Sequence, residues 1–361
     1  VQHIEISYEP LEYDATEPLT ILGSGQTIKT GNNKNILQLT MGADLTASNL
    51  HFEGPGGWSI ENRGDLDGET AGKGIFIGVP KEREGVVRLV LTDVSVSGVA
   101  NHGIHVSDCD IGDACGSGSG GGGDGSPASI SAVFHNVSVD DVGNGKFDAD
   151  GFRVDDRAGG GISFVAKDSS FTNVGADGVE LDEGNDGDVL ATITRTRFNH
   201  NGGYCNPDLF ELEDILLDGE YDEDIDDDVE KVEKMVEGML DTLDNDCVEV
   251  DGFEYNGEQT EVELALDLDD GIDIDEAGNG SLNALLTDSE IRGNLDEGVD
   301  FDEEGGENDV DGNVAVSVVN SVAVFNTDDG IKVSEEGPGD VLGSLYKVKS
   351  RMNGGKGAVF E

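Results

Sequence analysis

Carboxylates recur at alternate positions in three short segments: Glu180 and Asp182 in ADGVELDE, Asp273 and Asp275 in DDGIDIDE, and Asp300 and Asp302 in DEGVDFDE. If Ile272 and Ile274 point into a core, Asp273 and Asp275 point out of it, because successive side chains of a strand alternate. The same registration turns Val179, Leu181, Val299 and Phe301 inward and their acidic neighbours outward. Stacked copies of such a strand align these positions in columns. One column reads His105, Arg153, Glu180, Asp273, Asp300, Lys332; the next reads Ser107, Asp155, Asp182, Asp275, Asp302, Ser334. Two carboxylates about 4.8 Å apart repel by roughly 0.9 kcal/mol in water and several times more near a protein surface, so this ladder requires counter-charge. The direct chemistry is the binding of a hard cation. Calcium takes about six to eight oxygens, and Asp273, Asp275, Asp300 and Asp302 offer a square of carboxylates with Glu180 and Asp182 adjoining. A second oxygen-rich stretch, DFDEEGGENDVD, follows the spacing of an EF-hand loop at several points but has no flanking helices.

The elements that must position these residues are repeats. Six segments, NHGIHVSD, DADGFRVDD, ADGVELDE, DDGIDIDE, DEGVDFDE and DDGIKVSE, share the glycines Gly103, Gly151, Gly178, Gly271, Gly298 and Gly330, and Gly357 marks an eroded seventh copy. Gly151 to Gly178 and Gly271 to Gly298 are both steps of 27 residues. Each copy follows two more short strands, as in ISFVAKDSSFTNVGADGVELDE: a strand, a polar corner, a strand, a polar turn, a strand. Three strands in that span are too short for βαβ units and too regular for a sandwich. The pattern predicts a parallel β-helix of three-strand coils, each burying its inward residues against the coils above and below, in one domain over 1–361.

Two segments interrupt the repeat. Residues 116–127 read GSGSGGGGDGSP, a flexible loop closed at its base by a Cys109–Cys115 pair. Residues 206–263 are an acidic insertion in which Ile225, Val229, Val232, Val236, Met239 and Leu243 recur at helical spacing, after a shorter helical stretch from Leu209 to Leu217. Cys205 and Cys247 bracket both predicted helices. Paired cysteines favour an oxidising compartment, and the start at Val1 rather than Met is what a processed secretory protein shows. With 78 acidic against 21 basic residues and a net charge of −57, the chain repels nucleic acid and anionic membrane surfaces. No apolar run is long enough to span a bilayer. Extracellular or cell-surface location is expected.

The opening sequence, LTILGSGQTIKTGNN followed by LQLTMGADLTASNLHFEG, resembles the first coils of right-handed β-helix proteins of the pectin lyase-like superfamily. The resemblance covers nearly the whole chain and rests on fold pattern. It implies a right-handed coil and, as one class of function, a lyase or hydrolase of acidic polysaccharides. A lyase would use calcium on Asp and Glu to neutralise a uronate, with Arg153 or Lys332 abstracting the C5 proton; a hydrolase would use Asp273 and Asp300 as acid and base. The polygalacturonase elements are absent as a set, and His102 and His105 read as solvated turn and strand residues.

Two other readings stand beside catalysis. Acidic residues spread over every element resemble proteins of saline environments, where such a surface stays hydrated and soluble. The regularity of the carboxylates argues for a structural or interaction role: VQHIEISY at the start and GGKGAVFE at the end invite head-to-tail self-association into a fibre or surface layer, aided by calcium.

Overall fold

The computed structural model describes residues 3–6, 9–59, 71–109, 125–205, 221–222, 248–255, 258–266, 268–304, 312–335 and 339–361. By internal contacts the chain divides into two units, one formed by Val1–Tyr204 with Asp269–Glu361 and the other by Cys205–Leu268. None of the described residues is helical.

The larger unit contains two parallel sheets. One has nine strands, in the spatial order Leu11–Tyr13, Leu37–Leu39, Ile75–Gly78, Ile104–Ser107, Phe152–Asp156, Val179–Glu183, Asp273–Ala277, Asp300–Glu304 and Ser334–Glu335. Spatial order equals sequence order, so each circuit of the chain adds one strand beside the last. The other sheet has fifteen strands and takes the remaining segments of each circuit. The expected third strand is not separated from its neighbour in every circuit: Ser129–Asp140 is one long strand that pairs with both Ile162–Lys167 and Ser170–Thr172. The bend lies at Asn136, Asp168, Arg195, Asp288, Asn320 and Lys347, all left-handed with φ of 51° to 55°. Asn and Asp tolerate that conformation best, which is why a polar corner marks the position in the sequence. This all-β, parallel arrangement is compatible with a parallel β-helix.

Inward positions form one apolar cluster. Phe134, Phe152, Phe164, Phe171 and Phe198 are fully buried, and Phe171 stacks on Phe198 with ring centroids 5.5 Å apart. Serine and asparagine ladders stitch successive circuits: the Asn201 amide donates to Asn294 Oδ1, Asn294 to Asn326 Oδ1, and Asn326 to Asn353 Oδ1. Each of these buried side chains finds its partner in the equivalent residue one circuit on, so the polar groups cost little.

The shared glycines form a column of close backbone contacts. A Cβ on Gly151 would lie 2.4 Å from the carbonyl oxygen of Gly178, one on Gly178 equally close to Gly271, and one on Gly271 equally close to Gly298. Gly74, which the repeat pattern misses, begins the same column against Gly103. Glycine is required at these corners because the circuits meet there backbone to backbone.

The smaller unit corrects part of the insertion. Val248–Tyr255 and Glu258–Leu266 pair antiparallel, with Tyr221–Asp222 on the outer side of the second. Its C-terminal portion is therefore a β-ribbon running past residue 263, and the unit extends to Leu268. The two predicted helices, the glycine-rich loop through Asp124 and the EF-hand-like stretch from Gly305 to Asp311 lie outside the described residues. Neither Cys109 nor Cys205 is a free thiol; the partners expected for them, Cys115 and Cys247, also lie outside the described residues.

Candidate functional site

Parallel pairing sets Arg153 beside Glu180, Glu180 beside Asp273 and Asp273 beside Asp300, with Asp155, Asp182, Asp275, Asp302 and Ser334 in the adjoining row. His105 and Ser107 lead the two rows. The columns expected from alternation are formed, but their surroundings differ from expectation. His105, Arg153, Glu180 and Asp182 are buried, and Asp273, Asp275, Asp300 and Asp302 are half-buried. Alternation decides which face a side chain occupies and not whether that face meets water. His102, expected in solvent, is buried as well; its Nδ1 accepts the Asp150 amide at 2.9 Å, and desolvation holds its imidazole neutral, well below the ordinary histidine value.

One end of this face carries the protein's own cations. Arg153 Nη1 lies 2.9 Å from Asp148 Oδ1, 3.4 Å from Asp150 Oδ2 and 2.7 Å from Glu180 Oε2, and Nε donates to Asp155 Oδ1 at 2.8 Å. Lys73 Nζ sits 2.7 Å from His105 Nδ1, and His105 Nε2 is 2.6 Å from Asp155 Oδ2. An ammonium only donates, so Nδ1 accepts and Nε2 carries the proton given to Asp155. Asp182 is gripped by Arg157 through both carboxylate oxygens. Burial alone would raise Asp155, yet Arg153 and His105 hold it well below the carboxylate range. One guanidinium cannot neutralise four carboxylates. Burial and Asp148 push Asp150 up to about 6, and burial pushes Glu180 well above its ordinary value despite Arg153.

At the other end Lys332 Nζ lies 2.7 Å from Asp300 Oδ2 and 3.7 Å from Asp302 Oδ2. Burial opposes its charge, but Asp300 and Asp302 hold it protonated, above the ordinary lysine value. Between the two ends the charge is all of one sign. Burial, then Asp275, Asp177, Asp300 and Asp302, push Asp273 well above the usual range, and burial, then Glu297, Asp300, Asp177 and Asp273, do the same to Asp270. Burial and Asp302 bring Asp300 to about 7, while burial and Asp296 bring Glu297 to about 8.

Among the described residues three clusters hold carboxylate oxygens within 4.8 Å of one another: Asp148 with Asp150 and Glu180, Asp270 with Glu297 and Asp300, and Asp296 with Glu297 and Asp328. Such clusters of acidic residues are able to bind a metal ion. Of the six ligands expected from sequence, Glu180 and Asp300 fall in them. Asp182 is committed to Arg157, and Asp273, Asp275 and Asp302 belong to none of the clusters among the described residues. The signal for Asp270 and Glu297 was the acidic residue just before the stacked glycines Gly151, Gly178, Gly271, Gly298 and Gly330.

A second acidic column lies on the buried face of the nine-stranded sheet and was not anticipated. Asp156, Glu183, Glu276 and Glu303 pair in register one residue beyond Asp155, Asp182, Asp275 and Asp302 and are fully buried. Alternation carried one step further predicts it, since these residues share the parity of Val154, Leu181, Ile274 and Phe301. Both carboxylate oxygens of Asp156 and of Glu276 make no hydrogen bond of ordinary geometry among the described residues. Burial, then Asp108, raises Asp156 to about 8; burial raises Glu183 to about 10; and burial, then Glu303, raises Glu276 to about 8. These three are carboxylic acids, not carboxylates, at neutral pH.

The arrangement binds charge better than it moves protons. A lyase base must be neutral in its resting state, and Arg153 and Lys332 are both held charged by carboxylates in contact with them. Asp273 and Asp300 are register partners, both raised above the carboxylate range by burial and by neighbouring carboxylates, Asp300 to about 7. Neither a known protein-family profile nor a characterised protein matches the sequence significantly.

Proposed function

We propose that this chain is a right-handed parallel β-helix that serves as an extracellular, salt-adapted structural scaffold and joins further copies of itself end to end. The observation that carries the reading is the outermost strand of the larger sheet. Asp340–Tyr346 pairs on one side only among the described residues, and its Leu345 is exposed although its register partner Val318 is buried; Leu342 and Tyr346 are exposed on the outward face, beside Ala315 and Val319. An open strand edge with apolar side chains is a template for another strand in the same parallel register. At the opposite edge of the same sheets Ile4–Ile6 and Leu11–Tyr13 each pair with one strand among the described residues, the arrangement that a head-to-tail contact uses. Among the described residues neither Cys109 nor Cys205 is a free thiol, which fits an oxidising compartment. The net charge of −57 fits a medium rich in cations, with calcium among them.

Light scattering and electron microscopy of purified protein, with calcium and with chelator, test the scaffold reading. End-to-end oligomers that disappear in Leu342→Glu and Leu345→Glu are the expected result; monomers under every condition would overturn it. The catalytic alternative finds less support, because Arg153 and Lys332 are each occupied by carboxylates. A calcium-supplemented screen on pectate and alginate is expected to release no unsaturated or reducing sugar.

A further inference from the structure

The residue before each stacked glycine and the residue two places after it make a recurring pocket. In the first version, Asp150 of one circuit and Glu180 of the next are bridged by Arg153 Nη1, at 3.4 and 2.7 Å, so the pocket's cation is a guanidinium supplied by the chain. Two circuits further along the sheet, Asp270 and Asp300 occupy the same two positions, again 30 residues apart. The residue that corresponds to Arg153 is Asp273, two positions after Gly271 as Arg153 is two after Gly151. Here the chain has placed another carboxylate where it earlier placed the positive charge, and Glu297 joins the pair.

The free valences point the same way. Asp270 is 6% exposed, and its Oδ1 has no hydrogen-bond partner among the described residues. Asp300 gives Oδ2 to Lys332, while its buried Oδ1 is likewise without a partner. A buried, unpartnered carboxylate oxygen is expensive, and several converging on one point are more so. One oxygen each from Asp270, Glu297 and Asp300 lies within 4.8 Å of the other two, a spacing spanned by metal-to-oxygen bonds of about 2.3–2.6 Å.

We propose that Asp270, Glu297 and Asp300 bind a single divalent cation, calcium by the hardness and number of its oxygen donors, in the place that Arg153 fills two circuits away. The remaining coordination positions are taken by water, and Asp273 and Asp177 add negative potential close by. The Asp148–Asp150–Glu180 cluster is no competing site, because Arg153 occupies it. This assignment goes beyond the scaffold reading and stands whether or not the chain self-associates.

The test is calcium titration calorimetry and thermal melting of the full chain at one fixed monovalent salt concentration, starting from chelator-treated protein. Asp270→Asn removes a ligand and a like charge together, so the variant folds; its tightest calcium event is expected to weaken at least tenfold, and the calcium-induced rise in melting temperature to disappear. Asp328→Asn, in the neighbouring cluster, is expected to stay within twofold of wild type. Asp273→Arg restores a guanidinium where Arg153 has one and is expected to melt higher than wild type in chelator and to ignore calcium. Wild-type calcium affinity in Asp270→Asn, or an undiminished calcium response in a folded Asp273→Arg, would overturn the site.

Discussion

Replacing Asp156 by Asn tests the interior acid column directly. The side chain is fully buried, follows Val154 inward, and has its ionisation pushed up to about 8 by burial and by Asp108. In the unfolded chain the same group titrates near 3.9. The sign follows from proton binding: between those two values the folded state holds a proton that the unfolded state has lost, so stability from this group is complete below about pH 3.9 and drains away as pH rises towards 8. The drain is at most about 1.4 kcal/mol per pH unit, reaching roughly 4 kcal/mol at pH 7 as an upper bound. Asparagine keeps the shape of the protonated acid and does not titrate. The variant should therefore resemble wild type at about pH 3.9 and below and grow steadily more stable than it through pH 7, with Glu183 also eased because Asp156 is one of the charges that raise it. Urea unfolding at half-unit pH steps and constant salt measures the difference. Parallel stability curves for the two proteins would refute the claim that Asp156 is an uncharged acid in the fold.

Arg153→Met strands Asp148, Asp150, Asp155 and Glu180 without their shared cation and should cost about 3–5 kcal/mol in equilibrium unfolding; a loss below about 1 kcal/mol would mean that these carboxyls are neutral already. Gly271→Ala puts a methyl 2.4 Å from the Gly298 carbonyl oxygen and should destabilise by about 1–3 kcal/mol, whereas Gly31→Ala, with nothing within 4 Å, should leave the melting temperature unchanged.

Much of this architecture was legible in the sequence because identical residues stack on themselves. The spacing of Gly151, Gly178, Gly271 and Gly298 gave the circuit, and alternation around Ile272 and Ile274 gave the register Glu180, Asp273, Asp300 that the sheet adopts. Burial was not legible. Lys73, which reaches His105 across the sheet, stands in no repeat segment, and the residues that close over Arg153 are not encoded by strand period. Asp156, Glu183 and Glu276 are turned inward by the parity of Val154, Leu181 and Ile274, against the ordinary preference of acidic side chains for water. The helical spacing from Ile225 to Leu243 lies outside the described residues, while the ribbon at Val248–Leu266 shows that apolar alternation in EVELALDL meant strand.

The step from Glu180 to Asp273 is 93 residues where its neighbours are 27, yet Asp177 accepts the Asp270 amide as Asp150 accepts the Asp177 amide one circuit earlier, and Asn294 accepts the Asn201 amide as Asn326 accepts that of Asn294. The corner after Tyr204 is thus indifferent to what is spliced into it. Because the entropy of closing a loop grows only slowly with its length, foreign domains of very different size are expected to be accepted there as cargo, with the coil on either side unaware of the exchange.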